Sequence, residues 1–170
     1  DAAGDVLGTG YSICRFAVAG ASVGFSCPEI WTADGGIATD ASIDVKLIKI
    51  GLLSPQTGPI AQYAPGFEDA GKVAIAELDE TYPGFQFELI VVDSGCDGTQ
   101  AATGAQSLVD AGVVVIVGAA CSGATLGAIA VAAPAGVPMV SYASTSPAIT
   151  TADDDGRLFR VVPSDAQQAV

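Results

Sequence analysis

Histidine is absent from the 170 residues. The chain therefore lacks the commonest general base, the serine and cysteine triads built on histidine, and most zinc sites. An enzyme on this chain would have to work with carboxylates, Lys or Tyr. Basic residues are scarce: 6 Lys and Arg stand against 19 Asp and Glu, for a net charge of −13. Nucleic-acid binding needs clustered Lys and Arg, so this balance argues against it and against anionic lipid surfaces. Charged residues make up only 15% and hydrophobic residues 50% of the chain, which excludes a disordered polypeptide. The length suits one domain of about 100–200 residues with a real core.

No CxxC pair occurs among Cys14, Cys27, Cys96 and Cys121. A zinc site would need all four across a wide span, so no metal is expected. An even count at wide spacing fits disulfides in an oxidising compartment, and buried free thiols fit as well; the residues leave both open. No charge falls between Ala111 and Ala152. Part of that run has the hydropathy of a membrane span, and Gly123-Ala-Thr-Leu-Gly127 has helix-packing spacing. The β-branched run Val113-Val-Val-Ile-Val117, followed by Gly118, Gly123, Pro134, Gly136 and Pro138, favours buried strand, tight loop, short helix and buried strand.

The first 45 residues read as leader or linker. Phe16 to Cys27 is apolar after Arg15 and resembles a secretory signal remnant, with Cys27 a candidate lipidated cysteine; Thr32 to Ser42 reads as linker. From Lys46 the pattern is regular. Strands are expected at Lys46–Leu53, Phe85–Asp93, Val113–Val117, Val137–Ser141 and Leu158–Val162. Helices are expected at Pro65–Glu80, Thr99–Ala111 and Ser122–Ala133, with Asp97 or Thr99 capping the second. Alternating strand and helix with short connections specifies an α/β fold: an open, mostly parallel, doubly wound sheet with helices on both faces. Ligands of such sheets sit beyond the carboxyl ends of the strands.

The loops at that edge carry the chemistry. Gly118-Ala-Ala-Cys-Ser-Gly123 has phosphate-loop glycine spacing but Ala124-Thr125 in place of Lys-Ser/Thr, and no GxGxxG follows a strand, so no nucleotide cofactor is expected. Ala120-Cys-Ser-Gly-Ala124 mimics a nucleophile elbow, with no histidine to activate Ser122. Ser122 reads as a helix cap, or as a cap that also offers its hydroxyl and nearby N–H groups to an anion. Ser141-Tyr-Ala-Ser-Thr-Ser-Pro147 reads as a hydroxyl-rich turn or a second ligand loop, and Tyr63 as a packed side chain or a ligand wall. Asp153-Asp-Asp155 reads as a solvated turn.

Four stretches together carry a family resemblance: Ile50-Gly-Leu-Leu-Ser-Pro-Gln-Thr-Gly-Pro-Ile-Ala-Gln-Tyr63, Val91-Val-Asp-Ser-Gly-Cys-Asp-Gly-Thr-Gln-Ala101, Val117-Gly-Ala-Ala-Cys-Ser-Gly-Ala-Thr125 and Pro138-Met-Val-Ser-Tyr-Ala-Ser-Thr-Ser-Pro-Ala-Ile-Thr150. Phe159-Arg160 and Ser164-Asp165 follow in order. Over about Lys46 to Val170 the chain resembles the bacterial extracytoplasmic solute-binding proteins for branched-chain amino acids, the soluble receptors of ABC importers. The resemblance implies a disulfide between Cys96 and Cys121. It implies that Ser122, Ala143 and Thr145 hold the α-ammonium and α-carboxylate of an amino acid, and that Tyr63 is an aromatic wall of the cleft. It places residues 46–163 in the first of two lobes and residues 164–170, with Asp165, at the start of the crossover to a second lobe. Departures at Leu78–Gly84 and Ala64-Pro65 bear on side-chain preference rather than on class.

The function so implied is binding of branched-chain amino acids or similar small polar solutes in the periplasm or another extracytoplasmic space. The partner is the membrane permease of an ABC transporter, without cofactor or nucleic acid. A ligand-binding sensory domain of a receptor or regulator is the alternative, since fold and site do not reveal what is attached downstream; an α/β enzyme ranks below both. The physical chemistry is compatible: a zwitterion needs donors for its carboxylate and acceptors for its ammonium, and a helix N-terminus with Ser122, joined by Thr145 and the backbone near Ala143, supplies them without a formal charge.

Overall fold

The computed structural model describes residues 10–19, 22–32, 37–41 and 46–168, with side chains from Lys46 to Gln167, and it divides into two units, residues 1–45 and 46–170. In the first unit, β1 (Gly10–Ala19), β2 (Ser22–Thr32) and β3 (Ile37–Ala41) form an antiparallel sheet in that order. β1 and β2 pair from Gly10 opposite Thr32 to Ala19 opposite Ser22, with a register shift between Ile13 and Arg15. The sequence pattern gives residues 32–42 to a linker, whereas β3 pairs there with Cys27 to Trp31 of β2. Its own residues show little strand pattern, and pairing with a longer neighbour supplies what propensity does not. The signal and lipidation readings of Phe16 to Cys27, and the state of Cys14 and Cys27, fall outside the described side chains.

The second unit holds β4 (Lys46–Ser54), α1 (Ala64–Thr81), β5 (Phe85–Asp93), α2 (Gly98–Asp110), β6 (Val115–Val117), α3 (Ser122–Ala132), β7 (Met139–Ser141), β8 (Leu158–Arg160) and the short α4 (Asp165–Gln168). Single 3₁₀ turns precede α1 and follow β7. The five strands lie in the order β5-β4-β6-β7-β8, every pair parallel. This is the α/β, open parallel, doubly wound sheet expected. The charge-free run is β6, loop, α3 and β7, and no helix among the described residues is long and apolar enough to cross a membrane.

Strand periodicity sorts the core into two faces. Leu53, Ile116 and Met139, all fully buried, lie on one face with Ala101, Ala105 and Leu108 of α2 and Ala124, Ala128 and Ile129 of α3. Ile50, Leu52, Leu89, Val115 and Val117 face the other way, toward α1. Phe67 of α1 meets Tyr142 after β7 at 4.7 Å between ring centroids. Between α1 and this face runs an apolar groove of about 500 Å³.

Small residues set the helix spacing on the first face. A Cβ added to Gly127 of α3 would stand 2.1 Å from the Gly98 carbonyl oxygen at the start of α2. Gly127 thus serves close packing of α3 on the start of α2, whereas a Cβ at Gly123 would meet nothing within 4 Å. Both helices end alike. Gly112 and Gly136 have positive φ, and the next residue closes back five positions, Val113 N–H to Leu108 O at 3.3 Å and Val137 N–H to Ala132 O at 3.0 Å. Those two valines finish helices, so β6 and β7 begin two residues later than their β-branched pattern suggests.

Candidate functional site

All five strands of the second sheet run in parallel, so their carboxyl ends share one edge. The strand order reverses between β4 and β6. The chain leaves β4 toward α1 on one face and leaves β6 toward α3 on the other, which opens a crevice between the two loops. Tyr63 lies in the first loop and Ser122 begins the helix after the second. Ala143 and Thr145 lie in the loop after β7, the next strand along. The fold therefore puts all four expected ligand residues on loops of one sheet edge, Tyr63 58% exposed and the other three partly buried.

One expectation is corrected. Ser122 does not cap α3: Cys121 occupies the cap position, without a side-chain cap bond, and Ser122 is the first helical residue. Its Oγ instead accepts the Ser146 N–H at 3.2 Å, tying the β6–α3 loop to the loop after β7. Because no side chain caps α3, its first N–H groups and the positive end of its dipole are left to face the crevice edge. That suits an anionic oxygen. Thr145 O accepts the Asp165 N–H at 2.9 Å, which fixes the backbone of this loop against the start of α4.

A ring of buried hydroxyls shapes the β6–α3 loop from below. Thr125, Ser141 and Ser144 are each fully buried. The Ala119 N–H donates to Thr125 Oγ1 at 3.0 Å, Thr125 Oγ1 and Ser144 Oγ are 2.8 Å apart, and the Ala119 carbonyl accepts from Ser144 Oγ at 3.1 Å and Ser141 Oγ at 2.8 Å. Ser141 Oγ also accepts the Ser144 N–H at 3.0 Å. The three buried hydroxyls and both backbone groups of Ala119 thereby find partners. From the far side Arg160 Nη1 donates to Ser146 O at 2.9 Å.

The other two loops are joined by a carboxylate. Asp93 ends β5 and accepts from Thr57 Oγ1 at 2.6 Å, Gly95 N at 2.8 Å, Gln100 Nε2 at 2.9 Å and Thr57 N at 3.1 Å. Burial pushes its carboxyl up, but the bonds from Thr57, Gly95 and Gln100 outweigh this and hold it below the ordinary carboxylate range. Cys96, two residues past Ser94, is disulfide-bonded to Cys121, with Cα atoms 5.3 Å apart. Asp97 caps α2, accepting from Thr99 N and Gln100 N at 2.9 Å each. On the α1 side, Glu68 Oε1 accepts from Ser54 Oγ and Gln56 Nε2, both at 3.0 Å. Tyr142 donates to Leu53 O at 3.1 Å, and burial together with the nearby Glu68 charge pushes its phenol well up.

Glu68, Asp93 and Thr125 were not singled out by sequence pattern, and Ser141, Tyr142 and Ser144 were read only as part of the hydroxyl-rich loop Ser141–Pro147. Two signals point to some of them: a carboxylate closing an otherwise apolar strand end, and hydroxyls inside a segment with no charge. The acidic run Asp153–Asp155 is a turn: Asp154 accepts from Gly156 N and Leu158 N, both at 3.0 Å. Among the described residues no group of three His, Cys, Asp or Glu could hold a metal ion.

Comparison with known proteins fits this edge into a family. A sequence profile of the periplasmic binding proteins matches residues 47–170. The leucine-, isoleucine-, valine-, threonine- and alanine-binding protein of Pseudomonas aeruginosa is 35% identical over 112 residues, covering 65% of this chain and 30% of its own length. The branched-chain amino acid transporter substrate-binding protein LivJ of Streptococcus pneumoniae, solved with isoleucine, superposes with a TM-score of 0.65 at 32% identity, over 71% of this chain and 35% of its own. A solute-binding protein of an ABC transporter from Rhodopseudomonas palustris, solved with 3,4-dihydroxybenzoic acid, gives 0.63 at 29% identity, over 71% and 33%. The chain thus spans about a third of the length of these relatives. With the profile running from the first strand of the parallel sheet to the last described helix, the chain belongs to the periplasmic binding protein family.

Proposed function

We propose that this chain carries the first lobe of an extracytoplasmic solute-binding protein that delivers branched-chain amino acids to the permease of an ABC importer. Residues 46–163 form the lobe and 164–170 begin the crossover to a second lobe. The observation that carries the reading is the pairing at one crevice of an uncapped helix N-terminus beside Ser122 with the loop holding Ala143 and Thr145. Helix N–H groups and the two hydroxyls answer the carboxylate and ammonium of an amino acid, and the half-exposed ring of Tyr63 answers its apolar side chain. Binding rather than bond-breaking is the chemistry these groups suit.

A second ligand class is favoured by the Rhodopseudomonas relative solved with an aromatic acid. An aromatic carboxylate would use the same helix terminus and Tyr63, without need of an ammonium acceptor.

Calorimetry on the full-length protein separates the two. Leucine, isoleucine and valine are expected to bind, and benzoate-type acids not. Hydrogen bonds to charged groups are worth about 1.5–3 kcal/mol, so Ser122→Ala and Thr145→Ala should each weaken every amino acid by roughly 10- to 150-fold. Wild-type binding by both folded variants would sink the headgroup assignment, and tight binding of aromatic acids alone would move the protein to the second class.

A further inference from the structure

Tyr63 stands at the end of a loop with little core of its own, so something else must fix its ring. Two carboxylates, on α1 and on β5, anchor the start of that loop. Glu68 takes Ser54 Oγ and Gln56 Nε2 at the start of the loop. Asp93, from the neighbouring strand, takes Thr57 through both its hydroxyl and its N–H. The same carboxylate takes Gly95 N and Gln100 Nε2, and the backbone of Gly58 lies against the Gly95 carbonyl, where an added Cβ would approach to 2.3 Å. From Gly58 onward the loop is a run of bonded turns, Ala61 N–H to Gly58 O at 3.3 Å and Tyr63 N–H to Ile60 O at 3.0 Å. These turns connect the clamped Thr57 to the backbone of Tyr63.

We infer that Asp93 is a positioning residue for ligand side-chain discrimination: by holding Thr57 against the β5–α2 loop, it sets where the Tyr63 ring stands in the cleft. The inference rests on the reading of Tyr63 as a cleft wall. An ionised carboxylate is the side chain this junction requires, because four donors from three directions converge on its two oxygens. An amide would turn two of its own N–H groups toward Thr57 and Gln100.

The test is a double-mutant cycle in the full-length protein, read as dissociation constants for leucine, isoleucine, valine, threonine and alanine. Asp93→Ala should change the ranking of the five, as Tyr63→Ala does. In the Tyr63→Ala background, Asp93→Ala should cost less than about twofold more, the spread expected of sites that no longer interact. Thr57→Val, which removes only the loop's side-chain bond, should shift the ranking in the same direction, and it serves where Asp93→Ala does not fold. A uniform loss for all five ligands, or losses that add to those of Tyr63→Ala, would make Asp93 merely structural and overturn the inference. Wild-type behaviour of Tyr63→Ala itself would instead overturn the underlying reading of the cleft wall, and with it this inference. An altered Tyr63→Ala beside an unaltered Asp93→Ala would reject the inference alone.

Discussion

Replacing Thr125 by valine keeps the side chain's shape and removes one oxygen. That oxygen accepts the Ala119 N–H at 3.0 Å and lies 2.8 Å from Ser144 Oγ, at a site fully closed to solvent. In Thr125→Val the Ala119 N–H is left buried without an acceptor, at a cost of about 1–3 kcal/mol. The extra buried methyl returns about 0.8 kcal/mol, so a net loss of ~1–2 kcal/mol is expected. For a unit of this size each kcal/mol lowers Tm by roughly 3–5 °C. Urea unfolding followed by far-UV circular dichroism reads the loss as a lower midpoint at unchanged slope. Ser144→Ala completes a cycle. Because the two hydroxyls share one ring, the double variant should lose less than the sum of the singles, by about 0.5 kcal/mol or more. A Thr125→Val protein as stable as wild type, or more so, would show that packing alone holds this loop and that the ring contributes nothing.

Gly127→Ala drives a methyl into the Gly98 carbonyl, 2.1 Å away, so α2 and α3 must part; a loss of about 1–3 kcal/mol is expected in the same unfolding assay, against the usual gain from Gly→Ala in a helix. Removing the Cys96–Cys121 disulfide, which spans 25 residues of sequence, should cost roughly 3.5 kcal/mol in the chain-entropy model; thiol counting on the unreduced, denatured wild type should label neither cysteine. Asp97→Ala should cost about 0.5–2 kcal/mol, since two N–H groups of α2 lose their acceptor. Two pH dependences follow by linkage. The lowered Asp93 carboxyl contributes stability above its unfolded value of about 3.9, lost as pH falls through its folded value, and Asp93→Asn should blunt that acid limb. The raised Tyr142 phenol contributes stability below the ordinary tyrosine value of about 10, lost as pH rises beyond it, and Tyr142→Phe should flatten the alkaline limb in a pH series of unfolding midpoints.

The parallel sheet was legible because its strands are short apolar or alternating runs bounded by turn residues: Phe85 to Asp93, alternating at its start and apolar from Leu89 to Val92, reads as a strand and is one, residue for residue. Strand starts were not legible where a β-branched residue does other work. Val113 and Val137 look like strand residues, but each is spent closing the helix before it. Ser122 looked like a cap because serine commonly is one, and the choice between Cys121 and Ser122 depends on a backbone turn that no side-chain pattern encodes. The loops that hold Ser122 and Thr145 stood out because they are hydroxyl-rich turns that follow strands. Asp93, beyond its place closing an apolar run, and Glu68 did not, since among 19 acidic residues neither is marked until Thr57 and Ser54, 36 and 14 positions away, are in place. β3 was missed because its residues lack alternation and only its pairing partner makes it a strand.

The two sides of the parallel sheet differ in how much they bury, and the difference has a consequence for partial opening. Of the 18 residues of α1 only Ala64 is buried, whereas α3 buries five of its 11 and α2 four of its 13. α1 is held by partly buried side chains such as Phe67, Ile75 and Leu78 and by the Glu68 bonds, fewer fully buried contacts than α2 or α3 make. The amides of α1 should therefore exchange with deuterium through a low-energy excursion that leaves the rest intact, while those of β4, β6 and α3 wait for the whole unit to unfold. Tyr63, just before the first turn of α1, belongs to the part that moves first, and Ser122, at the first turn of α3, to the part that moves last.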